Sequence, residues 1–168
     1  MVNARRPGAE FRQTMAAFAS GVTVVTTRWQ GVAHAMTATA FCSVSLDPPL
    51  VLVCVSRQSR FHAAVTQAGG WAVSLLSAGQ EGVARHFANS GRRLQTQFDE
   101  LPHTPGPVTD APLIDGALGW LECTTYGMHD GGDHTILVGR VERSSRDQAL
   151  KEPLTYYRGT YSQPSDVR

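Results

Sequence analysis

The stretch from Ala35 to Phe61 gathers the side chains of this sequence that could hold an anion. Its first part carries Thr37, Thr39, Ser43 and Ser45 and ends at Pro48-Pro49. An apolar run, Leu50 to Val55, follows, and beyond it Arg57 and Arg60 are interleaved with Ser56 and Ser59. Hydroxyls, backbone amides and guanidinium forks are the groups that grip a phosphate, the arginine through paired charge-assisted hydrogen bonds. The same residue types also suit a Ser/Thr-rich strand pair whose arginines are merely solvated. Residue types alone leave both readings open.

A second concentration is His129-Asp130-Gly131-Gly132-Asp133-His134. Two imidazoles and two carboxylates so close together could ligate a metal, yet Asp and Gly are also what a hairpin turn requires. A third reading turns His134 toward a ligand. Several motifs are missing: G-x-G-x-x-G, the phosphate loop ending in Gly-Lys-Ser/Thr, the G-x-S-x-G elbow, H-E-x-x-H and any Cys/His zinc pattern. Their absence argues against a doubly wound dinucleotide fold, a serine hydrolase and a zinc site.

These groups need elements to position them. Phe11, Met15 and Phe18 recur at helical steps over Glu10 to Ser20, ended by Gly21. Val22 to Thr27 is β-branched and predicts a strand, with Val32 to Ala38 returning after a tight connection. Leu50 to Val55 is a buried strand by its length and β-branching. Ser59 can cap a helix from Arg60 to about Gln67, stopped by Gly69-Gly70. Trp71 to Leu76 is a strand and Gln80 to Ala88 a helix. From Asn89 to Gly119 the pattern fades among Pro102, Pro105, Pro107 and Pro112, which predicts a long loop with one helical turn near Leu94 to Phe98. Trp120 to His129 and His134 to Ser144 are strands around Asp130 to Asp133, and Tyr156-Tyr157 lie in a short closing segment. Hairpins without βαβ alternation predict a mainly β fold with short helices, an antiparallel barrel or sandwich. Residues 1–9 are expected to be a flexible arm, 10–163 one domain and 164–168 a tail.

The chain has 168 residues, 42% of them apolar and 17% charged, with a net charge of +1. That balance suits an ordered globular domain and offers nothing to nucleic acid or an anionic membrane. Lys151 is the only lysine among the 15 basic residues, so arginine content by itself says little. Cys42, Cys54 and Cys123, without C-x-x-C spacing, are expected to be reduced core thiols of a cytoplasmic protein. No apolar run spans a bilayer and no signal pattern opens the chain.

Taken together, several segments resemble the flavin reductase family, the reductase components of two-component flavin-dependent monooxygenases. They are Phe18 to Thr27, Met36 to Ser45 with Pro48-Pro49-Leu50, Ser59-Arg60-Phe61, Phe87-Ala88, Gly132-Asp133-His134 with Gly139-Arg140-Val141, and Tyr156-Tyr157-Arg158-Gly159. The resemblance implies an FMN-binding split β-barrel of antiparallel Greek-key type that forms a homodimer. It implies flavin contacts from Thr37, Ala38, Thr39, Ser43 and Val44, and from Cys54, Val55, Ser56, Ser59, Arg60 and Phe61 at the next strand end and turn. Phe87 and Ala88 approach the flavin in relatives. Gly132, Asp133 and His134 lie near the nicotinamide, with His134 as the contact. His34-Ala35 departs from the glycine that many relatives carry before Met36.

The implied reaction moves a hydride from a nicotinamide, NADH rather than NADPH, to FMN or FAD, with no metal, nucleophile or dedicated general base. Reduced flavin would then diffuse to a partner monooxygenase. A non-catalytic flavin-binding module of the same fold, or a split-barrel reductase acting on another substrate such as a corrinoid, is the alternative.

Overall fold

The computed structural model describes residues 7–149 and 151–164, and among these twelve strands and three α-helices form. In chain order they are α1 (Pro7–Ala16), β1 (Ser20–Gly21), β2 (Thr23–Trp29), β3 (Val32–Ala38), β4 (Phe41–Leu46), β5 (Pro49–Ser56), α2 (Arg60–Ala68), β6 (Gly70–Leu75), α3 (Glu81–Ala88), β7 (His103–Pro105), β8 (Pro112–Ile114), β9 (Gly119–Gly131), β10 (His134–Arg146), β11 (Thr155–Tyr157) and β12 (Thr160–Ser162).

Seven strands form one antiparallel sheet in the order β3-β2-β6-β9-β10-β5-β4. β3 and β4 follow each other in sequence yet take opposite edges of this sheet. Both halves nevertheless wrap one core, because Val25 and Ala38 of β2 and β3 cluster with Val51 and Val53 of β5. The sheet is therefore a barrel left open between β3 and β4, the split barrel expected from the resemblance.

Strict alternation fixes the register of β5. Val51, Val53 and Val55 point into the core, while Leu52, Cys54 and Ser56 face the other way. A slip by one residue would exchange the two sets and carry Ser56 into the core. Each buried valine contributes about 1.5–3 kcal/mol, so the slipped register cannot compete. The same alternation aims Cys54 and Ser56 outward.

Helix α2 plugs the barrel with Phe61, Ala64 and Val65. Its N-cap is Ser59, whose Oγ accepts from the His62 N–H at 3.1 Å, and Gly69 at φ 73° ends it in the left-handed conformation. Helix α3 lies outside the barrel, where Ala84 and Phe87 pack with Val24 and Ala35.

Several expectations need correction. Helix α1 begins at Pro7 and stops at Ala16, because Ser20 and Gly21 pair with Tyr156 and Thr155 of β11. Phe11 and Met15 are exposed on it, and Phe18 is exposed on the segment after it. Of the arm expected over residues 1–9, 1–6 lie outside the described residues and Pro7 to Ala9 belong to α1; residues 165–168 of the tail also lie outside. The 89–119 segment holds hydrogen-bonded turns over residues 95–100 rather than a helix, and also the hairpin β7–β8, whose last pair is Pro105 and Pro112. A proline pair at the end of a two-stranded ladder costs it no interior hydrogen bond. Only Cys123 is a core thiol, its pKa pushed up to about 12 mainly by burial. Cys54 is half-buried and Cys42 exposed, since β4 is an edge strand.

Candidate functional site

A cleft of about 430 Å³ opens beside the split, between β3 and the end of β5. Its floor is the chain from Ala35 to Ala40, its far wall Cys54 and Ser56, and its basic corner Gln58 to Phe61 at the start of α2. Phe87, Ala88, Ser90 and Arg92 close one side, and His134 stands at the rim.

The floor owes its chemistry to being a sheet edge. The Ala33 carbonyl accepts from Gln97 Nε2 at 2.8 Å and the Ala35 carbonyl from Arg92 Nη2, so alternate peptide groups of β3 point away from β2. Strand periodicity gives Thr37 the same orientation. Its N–H and C=O thus face the cleft side, the state of any sheet edge awaiting a partner. The Thr37 hydroxyl is committed elsewhere, donating to the Ala84 carbonyl at 2.7 Å and fastening β3 to α3.

Two arginines shape the basic corner. Arg60 Nη2 donates to the Ser90 and Arg92 carbonyls, each at 2.8 Å. Arg92 donates to Gln97 Oε1 at 2.8 Å, the Phe87 carbonyl at 2.9 Å, the Asn89 carbonyl at 2.6 Å and the Ala35 carbonyl. Burial first, and the Arg60 charge second, lower the Arg92 pKa to about 10, so it remains a cation at neutral pH.

His134 opens β10 beside the turn Gly132-Asp133, where Gly132 takes φ 77°, as the first position of a two-residue hairpin loop demands. Its Nδ1 lies 2.7 Å from Asp133 Oδ1. The hydrogen bond and then the charge of His134 hold the Asp133 carboxyl below its usual range. Asp130 faces Arg57 instead, at 2.8 Å. Among the described residues no three His, Cys, Asp or Glu side chains converge as a metal site would require.

The cleft brings together Thr37, Ala38, Thr39, Cys54, Ser56, Ser59, Arg60, Phe61, Phe87, Ala88 and His134 from the sequence expectation. It leaves out five. Val55 is fully buried in the core, its side chain opposite to those of Cys54 and Ser56. Ser43 and Val44 lie on the exposed face of β4, and Gly132 and Asp133 are at the hairpin tip beyond His134. Sequence reasoning missed Ala35, Met36, Ala40, Gln58, Ser90 and Arg92. The first three extend a run already singled out. Ser90 and Arg92 are announced only by a polar loop, Asn89 to Arg93, directly after an amphipathic helix.

His34 sits on β3 behind the cleft, only 7% exposed, and its Nδ1 has no hydrogen-bond partner among the described residues. Burial, then the charges of Arg60 and Arg92, lower its pKa below the ordinary 6.5. The folded protein therefore keeps the ring neutral while the unfolded chain takes up a proton first. This contribution to stability is intact above pH 6.5 and is lost as the pH falls toward the folded value. Between about pH 7.5 and pH 5 the melting temperature should fall more for wild type than for His34→Gln. Parallel declines in a calorimetric pH series would remove His34 from this role.

A flat heterocycle with polar edges and a phosphorylated tail fits this donor set: edge peptide groups below, hydroxyls and arginine at the corner. Comparison with known proteins agrees. Residues 15–165 match the family model of the flavin reductase like domain. An NADH-dependent FAD reductase from Streptomyces globisporus is 44% identical over 138 residues, 82% of this chain and 75% of the relative. The reductase subunit HsaB of a flavin-dependent monooxygenase from Mycobacterium tuberculosis is 35% identical over 153 residues, 90% of this chain and 80% of the relative. BorF, the flavin reductase component of a bacterial two-component tryptophan halogenase, superimposes with a TM-score of 0.89 at 42% identity, covering 95% of this chain and 99% of BorF. The chain belongs to the flavin reductase like family.

Proposed function

We propose that this protein is an NAD(P)H-dependent flavin reductase that uses NADH and FAD or FMN and passes diffusible reduced flavin to a flavin-dependent monooxygenase. The observation that carries this reading is the open barrel edge beside a hydroxyl- and arginine-bearing corner. The names of the Streptomyces and Mycobacterium relatives support NADH, FAD and an oxygenase partner.

When bound, the isoalloxazine supplies the hydride chemistry, so the chain's task is placement. The Thr37 to Thr39 edge offers peptide donors and acceptors to the rim of the ring. Ser56, Ser59, Arg60 and the first turn of α2 receive the phosphate. Cys54, Phe61, Phe87 and Ala88 pack around the flavin chain. His134, with Gly132 and Asp133 behind it, meets the nicotinamide. None of these roles needs a nucleophile.

The native unit is a homodimer in the cytoplasm. Phe11, Phe18, Val44 and Leu46 are 66%, 69%, 50% and 93% exposed on α1, the segment after it and β4, an apolar expanse that a second copy would cover. Light scattering that returned a single 18.1 kDa chain would refute the dimer, and cell fractionation tests the compartment.

The deciding experiment follows NADH absorbance with and without FAD or FMN. Flavin-dependent loss of absorbance is expected. Its absence with either nucleotide overturns the reading, and tight flavin binding without turnover would make this a non-catalytic binding module. Separately, Arg60→Ala should weaken FMN and FAD about ten-fold more than riboflavin, the scale of one solvent-accessible charge-assisted contact. Equal weakening in a fluorescence titration would leave Arg60 only its bonds to the Ser90 and Arg92 carbonyls.

A further inference from the structure

Arg57 lies next to the cleft without lining it, and half of its side chain is exposed. Yet it makes three bonds to one place. Its backbone N–H donates to the Asp133 carbonyl at 3.1 Å, its Nε to the His134 carbonyl at 3.3 Å and its Nη2 to Asp130 Oδ1 at 2.8 Å. Asp130 Oδ1 also accepts from the Gly132 N–H at 2.9 Å, so the same carboxylate shapes the turn and ties it to Arg57.

The tip needs this tether. β9 loses its neighbour β6 beyond the Gly70–Thr124 pair, and the β5–β10 ladder ends at Ser56–His134. Past the Gly131–His134–Ser56 row only the turn residues Gly132 and Asp133 continue, with no ladder partner of their own. Arg57 comes from the β5–α2 corner, so its bonds join the two sides of the cleft mouth: the hairpin bearing His134 and the corner bearing Ser59 and Arg60.

Resting on the reading that His134 meets the nicotinamide, we propose that Arg57 is a positioning residue. It clamps the β9–β10 tip to the β5–α2 corner and thereby sets where the His134 ring stands when the dinucleotide enters. The flavin floor at Thr37 to Thr39 does not depend on it.

The test combines amide exchange in the ligand-free protein with steady-state kinetics. In Arg57→Ala, amides from Asp130 to His134 should exchange faster while those of Val51 to Val55 stay protected. KM for NADH should rise about five-fold, the upper end for an exposed pair, with flavin Kd and melting temperature nearly unchanged. Arg57→Lys should recover part of the effect, since it restores the charge beside Asp130 but not the fork. Arg57→Ala combined with Asp130→Ala should raise KM by less than the product of the two single changes, any excess over Arg57→Ala alone reflecting the lost Gly132 bond. Unchanged exchange at the tip, or an unchanged KM, overturns the clamp. So does equal loss of flavin and NADH binding with a lowered melting temperature, the mark of general destabilisation. A wild type that binds flavin but oxidises no NADH would instead refute the reductase reading, and faster tip exchange in Arg57→Ala would still support the clamp.

Discussion

Gly139→Ala is expected to destabilise the fold by about 3 kcal/mol, which for a chain of this size lowers the melting temperature by roughly 6–12 °C. A Cβ at Gly139 would stand 2.3 Å from Trp71 Cζ2 and 2.9 Å from Cys123 Cβ. Both neighbours are fully buried in the barrel core. The indole cannot yield cheaply, because it packs in the same cluster as Val73, Leu137 and Phe61. The clash is with ring and Cβ atoms near the centre of β10, not with the end of a flexible chain. Gly82→Ala makes the opposite control. Gly82 is exposed on α3 with nothing within 4 Å of an added Cβ, so helix propensity should raise stability by about 0.5–1 kcal/mol. Calorimetry of the two variants gives opposite signs if the packing is as described. A Gly139→Ala protein melting with wild type would show that the indole moves aside freely.

The largest effect on ligand binding is expected from Arg92→Ala, with flavin Kd raised by one to two orders of magnitude, as about 1–3 kcal/mol for groups left unpaired implies. Four acceptors lose their donor at once: the carbonyls of Ala35, Phe87 and Asn89, and Gln97 Oε1. Two of these belong to the cleft wall itself, Ala35 on its floor and Phe87 at its side. The Arg92 backbone also receives Arg60, so a displaced loop would take the second arginine out of position. Arg92→Lys should recover little, because one ammonium cannot span a fork's partners. A fluorescence titration showing wild-type affinity for both variants would mean that the loop keeps its place without the guanidinium.

The fold was legible wherever one short segment carried its own instruction. β5 could be read from its short β-branched apolar run, α2 from Ser59 and Gly69, and the β9–β10 hairpin from its turn rich in Asp and Gly. The end of β9 lies two residues beyond the expected His129, because Asp130 and Gly131 continue the ladder with residues that also suit a turn. What stayed hidden depends on partners far away in sequence. Arg92 acts on Ala35, Gln97 on Ala33, and neither separation leaves a local pattern. Glu122 stands in an apolar run, as an outward residue of a strand would, yet it is fully buried and accepts from the Val108 and Thr109 N–H groups and the Thr109 hydroxyl. That contact pins the turn of the β7–β8 hairpin, which proline content had hidden. Val55 shows the limit of carrying a contact list over by resemblance. Its neighbours Cys54 and Ser56 reach the cleft, and alternation sends Val55 to the opposite face.

The seam between β3 and β4 has one more consequence. Where a ligand rests on main-chain atoms, the twenty side chains are nearly interchangeable as far as those contacts go. Thr37 aside, whose hydroxyl also fastens β3 to α3, truncating side chains along Ala35 to Ala40 would leave the peptide groups in place and would not register the contacts proposed for them. Swapping single peptide bonds for esters along that edge, which deletes an N–H and spares the side chain, is the perturbation to which such a surface answers.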